Sequence, residues 1–381
     1  IGTKKGVRYF CFQHEQSAAM AAEAYYRSSG RVGVVLTTSG PGAQNLMNGV
    51  CGCWFESVPC VFITGQVSTY ESSDSIDMNP RQLGFQETSV VEMFKPFTKY
   101  CAKIYSVDEV KSTFETALQA MFMDRYGPVL MDIPVNIQTS EMEDFSSEDV
   151  MLPFAMVDGD IDNKINSLNK LISESERPLF LLGNGVRLSD SIDKAKQLIE
   201  DSGYPFVVSW GGFDLLPHDH PQFVGDIGVY GSRAANFAVQ NCDLLIVLGS
   251  RLDTRQTGGD LKLFSRNSKK VMVDIDENEI FKGRGLNIDL PILNDINNFL
   301  DRCFDDIKIK PIESDWEEKL NDWKSKTYDS HEHQGELLNS YKFLETLNDY
   351  IPDNSIIIPT NNGPKIEHKL PKTVKILNET A

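Results

Sequence analysis

The sequence has 381 residues, 41% of them hydrophobic, which is enough chain for roughly two or three domains with sizeable cores. The formal net charge of −18 argues against nucleic acid as a partner. No apolar run reaches the about 18 residues that a membrane span needs, so no membrane association is predicted. The seven cysteines lack zinc-ligand spacing and mostly lie in apolar runs, which favours reduced thiols in a reducing compartment. A cytoplasmic location is therefore expected.

The most informative stretch runs from residue 13 to residue 48. Small and apolar residues recur at helical spacing after Glu15, and Gly30 is predicted to end that helix. The β-branched run 33–38 predicts a parallel strand buried on both faces. A sharp turn into a second helix follows, formed by Ser39, Gly40, Pro41 and Gly42. A glutamate that begins such a helix beside a parallel sheet is expected to be held away from water.

The remainder of residues 1–140 alternates predicted strands with a helix at 108–124, which indicates a parallel sheet covered on both sides. The strands are predicted at 58–65, 97–104 and 128–134. A polar loop rich in Ser and Asp follows the first of these strands. Its length favours a mobile segment or a lid.

A second α/β unit is predicted at residues 160–305, after an acidic, serine-rich linker at 141–159. Its strands are predicted at 177–183, 204–209, 242–249 and 269–276, with helices at 192–203 and 232–241. This order is typical of a doubly wound parallel sheet.

Residues 306–381 are predicted to begin a third domain. Helices are predicted at 314–326 and 340–350, and a strand at 354–363 with no partner after it. Because the chain starts at Ile1 and ends after an unpaired strand, both ends of the natural protein are expected to be missing.

Four motifs resemble those of the thiamine-diphosphate enzymes of the acetolactate synthase group, and the similarity extends over almost the whole chain. The motifs are HEQ (14–16), TSGPGAQN (38–45), GQV (65–67) and GFQET (84–88). The resemblance implies the α/β fold of that group, with two doubly wound domains and the start of a third. The same resemblance implies that residues 1–140 bind the aminopyrimidine of thiamine diphosphate. It also implies that residues 160–305 form a central domain like those that bind FAD.

Glu15 matches the glutamate that hydrogen-bonds N1′ of the aminopyrimidine ring in that group. There the bond favours the imino tautomer, which removes a proton from the thiazolium carbon and forms the ylid. A dry pocket that raises the pKa of the carboxyl group would suit this role. The alternative interpretation is an acidic residue that merely favours a helix N-terminus.

The turn at Ser39, Gly40, Pro41 and Gly42 lies along the aminopyrimidine pocket by resemblance, with Asn45 at its rim. Alternatively, it is only the tight strand-to-helix turn that glycine permits. Gln86 and Phe85 match residues that face the reactive carbon of the cofactor and line the substrate pocket. Otherwise they form an exposed strand edge.

Arg251 and Arg255 follow a predicted buried strand and are spaced to hold phosphates. Asp274 ends a strand about 20 residues further on, where an acid commonly binds a ribose or adenosine edge. The pattern resembles the FAD-binding region of acetolactate synthases, in which the flavin would be structural. The alternatives are an exposed salt-bridge cluster and a scaffold without a nucleotide. By resemblance the flavin contacts are Gly183, Gly185, Gly228, Val229, Tyr230, Gly249, Arg251, Asp253, Arg255, Asp274 and Ile275.

The resemblance also implies a Mg²⁺ ion that anchors the cofactor diphosphate through oxygen ligands in a third domain. Residues 225–228 match that metal motif only in letters, so no metal ligand is assigned in this chain. By resemblance, the active site is shared across a homodimer or within a tetramer, and a regulatory subunit is a possible partner.

The predicted activity is a carboligation, in which pyruvate loses CO₂ and its hydroxyethyl unit attacks a second 2-oxo acid. The 381-residue piece alone is expected to be inactive. Two alternatives stay open. One is a related 2-oxo acid decarboxylase or lyase, and the other is a non-catalytic module that lacks the diphosphate domain.

Overall fold

The structure, a computed structural model, describes residues 6–78, 80–142, 159–282 and 285–326, and beyond these only 343, 346–347, 349–352, 355–357 and 375–376. The chain divides into two compact units, one within residues 1–154 and one within residues 155–378. The predicted linker at 141–159 falls almost entirely outside the described residues, as does most of the predicted helix at 340–350.

The first unit alternates strands and helices. Its strands are β1 (Gly33–Thr37), β2 (Cys60–Gln66), β3 (Tyr100–Lys103) and β4 (Val129–Pro134). Its helices are α1 (Glu15–Ser29), α2 (Pro41–Asn45), α3 (Met47–Glu56), α4 (Val90–Phe94), α5 (Glu109–Phe122) and α6 (Val135–Gln138). Short 3₁₀ turns lie at Thr69–Glu71, Ser73–Ser75 and Lys95–Phe97.

The four strands pair in parallel in the order β1-β2-β4-β3. Alternate side chains of β2 enter different cores, because successive residues of a strand point to opposite faces. Phe62 packs with residues of α1 and α3, whereas Val61 packs with Ala117 and Met121 of α5. The sheet is therefore covered on both sides at its centre, which brings the carboxyl ends of its strands to one edge.

Strand β1 differs from its prediction. It was expected to be buried on both faces, but Val34 is 63% exposed and Leu36 is 55% exposed. The reason is its position at the edge of the sheet, where it pairs only with β2 among the described strands. Its other face is covered, since Val35 packs in the core beneath α1 and α3.

The second unit has more strands than the sequence predicts. Its main sheet contains β5 (Pro178–Leu182), β6 (Phe206–Val208), β7 (Phe223–Asp226), β8 (Leu244–Leu248), β9 (Lys269–Asp274) and β10 (Leu290–Leu293). Its helices are α7 (Ile161–Glu174), α8 (Gly185–Leu188), α9 (Ile192–Ser202), α10 (Arg233–Asn241), α11 (Thr254–Thr257), α12 (Glu277–Phe281), α13 (Ile296–Asp306) and α14 (Ser314–Ser325). Short 3₁₀ turns lie at Trp210–Gly212 and Leu261–Leu263.

The sheet of the second unit is parallel and doubly wound, with the order β10-β9-β8-β5-β6-β7. Strand order reverses between β5 and β8, and ligands of such folds bind outside the carboxyl ends of strands at this point. Helices cover both faces, so β5 sends Phe180 and Leu182 into one core and Leu179 and Leu181 into the other. The α/β architecture expected from the sequence is confirmed for both units.

The prediction that the strand near residue 356 has no partner after it is wrong. Ile356–Ile357 (β11) pairs in parallel with Lys375–Ile376 (β12). The partner lies in the segment 373–377, which is interrupted by Lys375 and is too brief to signal a strand by itself. Helix α14 packs on the second unit, where the Trp316 indole N–H donates to the carbonyl of Pro178 at 3.2 Å.

The cysteines are free thiols, as predicted, and four of them are buried: Cys53, Cys60, Cys242 and Cys303. Cys11 is exposed, so the expected core position does not hold for this thiol. None of the described helices combines the length and the hydrophobicity that a bilayer-crossing segment requires.

Candidate active site

The carboxylate of Glu15 lies at the N-terminus of α1, beside the turn that follows β1. His14 caps this helix, because its Nδ1 accepts the backbone N–H of Gln16 at 3.2 Å. A helix N-terminus stabilises a nearby negative charge, so this position favours the ionised form of Glu15.

Asn45 fixes one oxygen of that carboxylate. The side-chain Nδ2 of Asn45, at the end of α2, donates to Oε2 of Glu15 at 3.0 Å. This hydrogen bond lowers the pKa of Glu15 below its ordinary value, and burial opposes it only weakly. Among the described residues Glu15 is only half-buried, and its pKa is lowered, whereas a dry pocket and a raised pKa were expected. Asn45 has a direct positioning role that the sequence did not reveal.

The turn at Ser39–Gly42 contacts both Glu15 and the GFQET segment. Gly40 has φ 59° and ψ −119°, a conformation open only to glycine, and a Cβ at this position would lie 2.6 Å from the carbonyl oxygen of Gln86. A Cβ on Gly42 would lie 2.7 Å from Cγ2 of Thr38 and 3.4 Å from Oε1 of Glu15. Pro41 begins α2, where its fixed φ suits the first helical turn.

Gln86 lies directly against this turn, and Phe85 precedes it in the chain. The side chain of Phe85 is 83% exposed, so its ring is accessible to a ligand. Gln86 has a φ of 58°, a left-handed conformation that a non-glycine residue adopts at some cost. The structure thus brings Glu15, Gly40 and Gln86 together at one edge of the sheet, although they are far apart in sequence.

A buried carboxyl group, missed by the sequence analysis, lies at the same edge. Asp132 of β4 is 1% exposed and accepts from Thr64 Oγ1 at 2.6 Å and from Gln66 Nε2 at 3.0 Å. Burial raises the pKa of Asp132 to about 6, and the donors from Thr64 and Gln66 oppose that rise. The signal was present in the sequence, because an aspartate interrupts the apolar run of β4.

Asp132 makes the stability of the protein depend on pH. Between its unfolded pKa of about 4 and its folded pKa of about 6, the folded state binds more protons, so the free energy of unfolding falls as pH rises. The Asp132→Asn variant lacks this titration. Relative to that variant, we expect wild-type protein to lose on the order of 3 kcal/mol between pH 4 and pH 7, measured as thermal midpoints. Asp108→Asn, at an exposed aspartate of the same unit, is the matched control. An unchanged difference across this window would contradict the assignment.

The glycines that were expected to contact a flavin in the second unit pack against one another. A Cβ on Gly183 would lie 2.1 Å from the carbonyl oxygen of Gly249, and a Cβ on Gly185 would lie 2.6 Å from the Cα of Gly249. The backbone N–H of Gly185 also donates to the Gly249 carbonyl at 3.0 Å. These turns follow β5 and β8, so the contact lies at the point where strand order reverses. Close backbone packing alone accounts for the three glycines.

Three other predicted flavin contacts, Gly228, Val229 and Tyr230, lie beside the exposed Arg255. The backbone N–H of Val229 donates to the Arg255 carbonyl at 2.9 Å, and a Cβ on Gly228 would lie 2.6 Å from that oxygen. The Arg255 guanidinium lies 5.9 Å from the ring centre of Tyr230, within reach of a cation–π contact. Val229, Tyr230 and Arg255 are exposed, so this surface is open to a ligand.

Asp253 has a structural role, because its side chain caps α11 by accepting the backbone N–H of Arg255 at 2.7 Å. Its distance to Arg251 is 4.0 Å, which makes at most a weak surface ion pair. Asp274, at the end of β9, is buried and accepts the backbone N–H of Asp276 at 3.0 Å; Ile275 follows it and is half-buried. Within the described ranges, no three His, Cys, Asp or Glu side chains converge as metal ligands.

Two family models match the chain, in the order that the fold presents. Residues 1–93 match the model described as "Thiamine pyrophosphate enzyme, N-terminal TPP binding domain", and residues 165–303 match "Thiamine pyrophosphate enzyme, central domain". Thiamine pyrophosphate is another name for thiamine diphosphate. The chain belongs to the thiamine pyrophosphate enzyme family.

Within that family, the chain is similar to acetolactate synthase large subunits. It is 36% identical over 296 residues to the probable acetolactate synthase large subunit of Methanocaldococcus jannaschii. The aligned residues are 76% of this chain and 48% of that protein. It is 30% identical over 358 residues to the acetolactate synthase large subunit of Lactococcus lactis. Here the aligned residues are 93% of this chain and 60% of that protein. For the large subunit of acetolactate synthase isozyme 2 from Escherichia coli, identity is 31% over 359 residues, 92% of this chain and 61% of that protein. The chain thus spans between about half and three fifths of the length of these relatives.

Proposed function

We propose that the complete polypeptide encoded by the gene is a thiamine-diphosphate-dependent carboligase. It would decarboxylate pyruvate and join the remaining two-carbon unit to a second 2-oxo acid, as in acetolactate synthesis. The observation that carries this proposal is the Glu15 carboxylate, fixed by Asn45 at 3.0 Å beside a turn that also contacts Gln86. The similarity to acetolactate synthase large subunits supports the choice of reaction.

When bound, thiamine diphosphate supplies the carbon acid on which 2-oxo acid decarboxylation depends. The residues of this chain suit its aminopyrimidine ring, since the Glu15 carboxylate is fixed by Asn45 and is only half-buried, so a ligand can reach it. Glu15 would accept a hydrogen bond from the N1′–H of the imino form of the ring and so favour that tautomer. Gly40 and Gly42 would keep that carboxylate in place, because their missing side chains let the turn pack closely against Gln86 and Thr38.

Phe85 and Gln86 would form one wall of the substrate pocket. The exposed ring of Phe85 offers an apolar surface for the methyl group of pyruvate, and Gln86 offers both a donor and an acceptor for its oxygens. A small 2-oxo acid needs this combination of an apolar contact and a few polar groups.

We further propose that a second subunit covers Glu15. In one subunit by itself, the carboxylate of Glu15 is half-buried and its pKa is lowered. A homodimer or tetramer in which another subunit closes over this edge would remove water and raise that pKa toward the value that proton transfer favours. Mg²⁺ would bind the diphosphate through oxygen ligands outside the described residues. A regulatory subunit is a further proposed partner, and the free thiols support a reducing compartment such as the cytoplasm.

The decisive experiment is an assay of the complete polypeptide with pyruvate, thiamine diphosphate and Mg²⁺. Acetolactate should form and CO₂ should be released, and omission of thiamine diphosphate should abolish both. Release of acetaldehyde as the sole product would replace the carboligase with a decarboxylase. Consumption of no pyruvate, together with no binding of thiamine diphosphate, would favour a non-catalytic module.

We propose FAD as a second cofactor, held at the carboxyl edge of the second unit. The turns after β5, β7, β8 and β9 meet at this edge, beside the reversal of strand order. Arg251 and Arg255, both exposed, would bind the phosphates, and Asp274 would accept from the ribose or adenosine edge. The carboligation transfers no net electrons, so the flavin would be structural.

The FAD proposal predicts that Arg255→Ala weakens FAD binding by about 10- to 100-fold, the effect of losing a charge-assisted hydrogen bond. Bound flavin is measured by its visible absorbance after FAD titration and desalting. Arg266→Ala, at another exposed arginine of the same unit, is the matched control and should retain wild-type binding. A complete polypeptide that binds no FAD would reject the proposal and leave the middle unit as a scaffold.

A further inference from the structure

The side chain of Glu87 collects hydrogen bonds from both ends of the polar loop that precedes it. Its Oε1 accepts from the hydroxyl of Ser72 at 2.8 Å and from the hydroxyl and the backbone N–H of Ser73, both at 2.7 Å. Its Oε2 accepts from the backbone N–H groups of Leu83 at 3.1 Å and Gly84 at 3.3 Å. One carboxylate thus joins Ser72 and Ser73 to Leu83 and Gly84.

This carboxylate stays ionised throughout the physiological pH range. Burial alone would raise the pKa of Glu87, but the donors from Ser73, Ser72 and Leu83 outweigh it and lower that pKa to about 2. All five donors point at a permanent negative charge. Such charge-assisted hydrogen bonds are stronger than those between neutral groups.

The loop is also attached to the sheet on either side of Glu87. Lys103 of β3 donates from its Nζ to the Ser72 hydroxyl at 2.7 Å. Gln66, at the end of β2, donates from its Nε2 to the carbonyl of Thr88 at 3.0 Å and to the buried Asp132 at 3.0 Å. The residues before and after Glu87 are therefore fixed to the core of the unit.

Gln86 lies between these attachments, in a conformation that needs external support. Its φ of 58° costs about 1 kcal/mol or more for a non-glycine residue, so neighbouring contacts must maintain it. In its hydrogen-bonded orientation, the Gln82 amide oxygen accepts the backbone N–H of Gln86 at 2.7 Å and of Glu87 at 3.1 Å. The carbonyl of Gln86 in turn lies against Gly40 of the glycine turn.

We propose that Glu87 is a positioning residue, whose carboxylate orders the loop so that Gln86 and Phe85 face the site of the second 2-oxo acid. This inference rests on the proposed carboligase function and names a further residue that the reaction requires. Glu87 does not touch the reacting atoms, because its two oxygens are engaged by the loop. It acts through the backbone on which Gln86 is held.

The test is the Glu87→Gln variant of the complete polypeptide. The substitution keeps the size of the side chain but turns an NH₂ group toward backbone N–H donors on one side, so it breaks at least one backbone hydrogen bond and removes the negative charge from the others. A displacement of about 1 Å at Gln86 is expected to lower kcat/KM by about 10- to 100-fold. The ratio of acetolactate to acetaldehyde should also fall by about tenfold, since an ill-placed acceptor leaves the two-carbon unit to be released. Glu92→Gln, at an exposed glutamate of α4, is the matched control and should keep both values.

The product ratio and amide hydrogen exchange separate positioning from a general loss of structure. A loss of active enzyme lowers kcat but leaves the product ratio and KM unchanged, which would overturn the proposal. Exchange at the amides of Ser73, Leu83 and Gly84 should accelerate at least about tenfold in Glu87→Gln and not in Glu92→Gln. Unchanged exchange would also overturn it. If wild-type polypeptide forms no acetolactate, the proposed function falls, and the exchange comparison still decides whether Glu87 orders the loop.

Discussion

Replacement of Glu15 by glutamine should lower kcat for acetolactate formation by about 10²–10⁴-fold in the complete polypeptide, the range of a lost general acid–base group. The glutamine side chain has nearly the same shape, and its oxygen can still accept the 3.0 Å hydrogen bond from Asn45. It cannot hold the ring proton as a carboxylate does. The fold and the binding of thiamine diphosphate should therefore change little while turnover falls.

The matched control for this prediction is Glu23→Gln, which lies on the same helix α1. Glu23 pairs with Arg27 one turn further on at 3.2 Å, and such pairs contribute about 0.3–0.5 kcal/mol. Steady-state kinetics with pyruvate and a fluorescence titration with thiamine diphosphate give kcat and the cofactor Kd for both variants. Full turnover by Glu15→Gln would remove the basis of the proposed mechanism, whatever the products are.

The second large effect is expected for Gly40→Ala. Alanine would have to adopt φ 59° and ψ −119°, and its Cβ would meet the Gln86 carbonyl oxygen at 2.6 Å. The conformation costs about 1–3 kcal/mol, and the clash adds to it unless the loop moves away. We expect a lower thermal midpoint and a fall in kcat/KM of about 10- to 100-fold, because Gln86 is displaced from the turn.

The Gly30→Ala variant is the control that separates the cost of a left-handed backbone conformation from the effect of a clash with Gln86. Gly30 ends α1 with φ 71°, and a Cβ there would have nothing within 4 Å. Alanine at this position should cost about 1 kcal/mol through its left-handed conformation and leave kcat/KM at the wild-type value. If the two alanine variants reduced kcat/KM equally, contact between the glycine turn and Gln86 would not be the cause.

The strong elements of the fold could be predicted because their local signals agree with their packing. The run before Ser39 has the β-branched composition of a strand, and α5 lies within the predicted helix. The strands β7 and β10 were missed, because four residues with an internal glycine or proline give no periodic signal. The exposure of β1 could not be read from its composition, since an edge position depends on strand order rather than on sequence.

The sequence could predict which residues of the candidate site lie close together, but not their electrostatics. Motif resemblance placed Glu15, Gly40 and Gln86 in one site, and they do lie together. In this chain by itself the pKa of Glu15 is lowered rather than raised, because it depends on Asn45, 30 residues away in sequence, and on how much water reaches the carboxylate. The five donors to Glu87 were invisible for the same reason, since they meet only when the loop closes.

The open edge of β1 has a consequence for handling the protein. Its outer side presents main-chain N–H and C=O groups alongside Val34 and Leu36, a surface that can template pairing with strands of other molecules. Preparations of this chain alone should therefore self-associate as their concentration rises. A charged side chain in place of Leu36 would act as a gatekeeper, keeping the material dispersed at no cost to the packed face beneath α1.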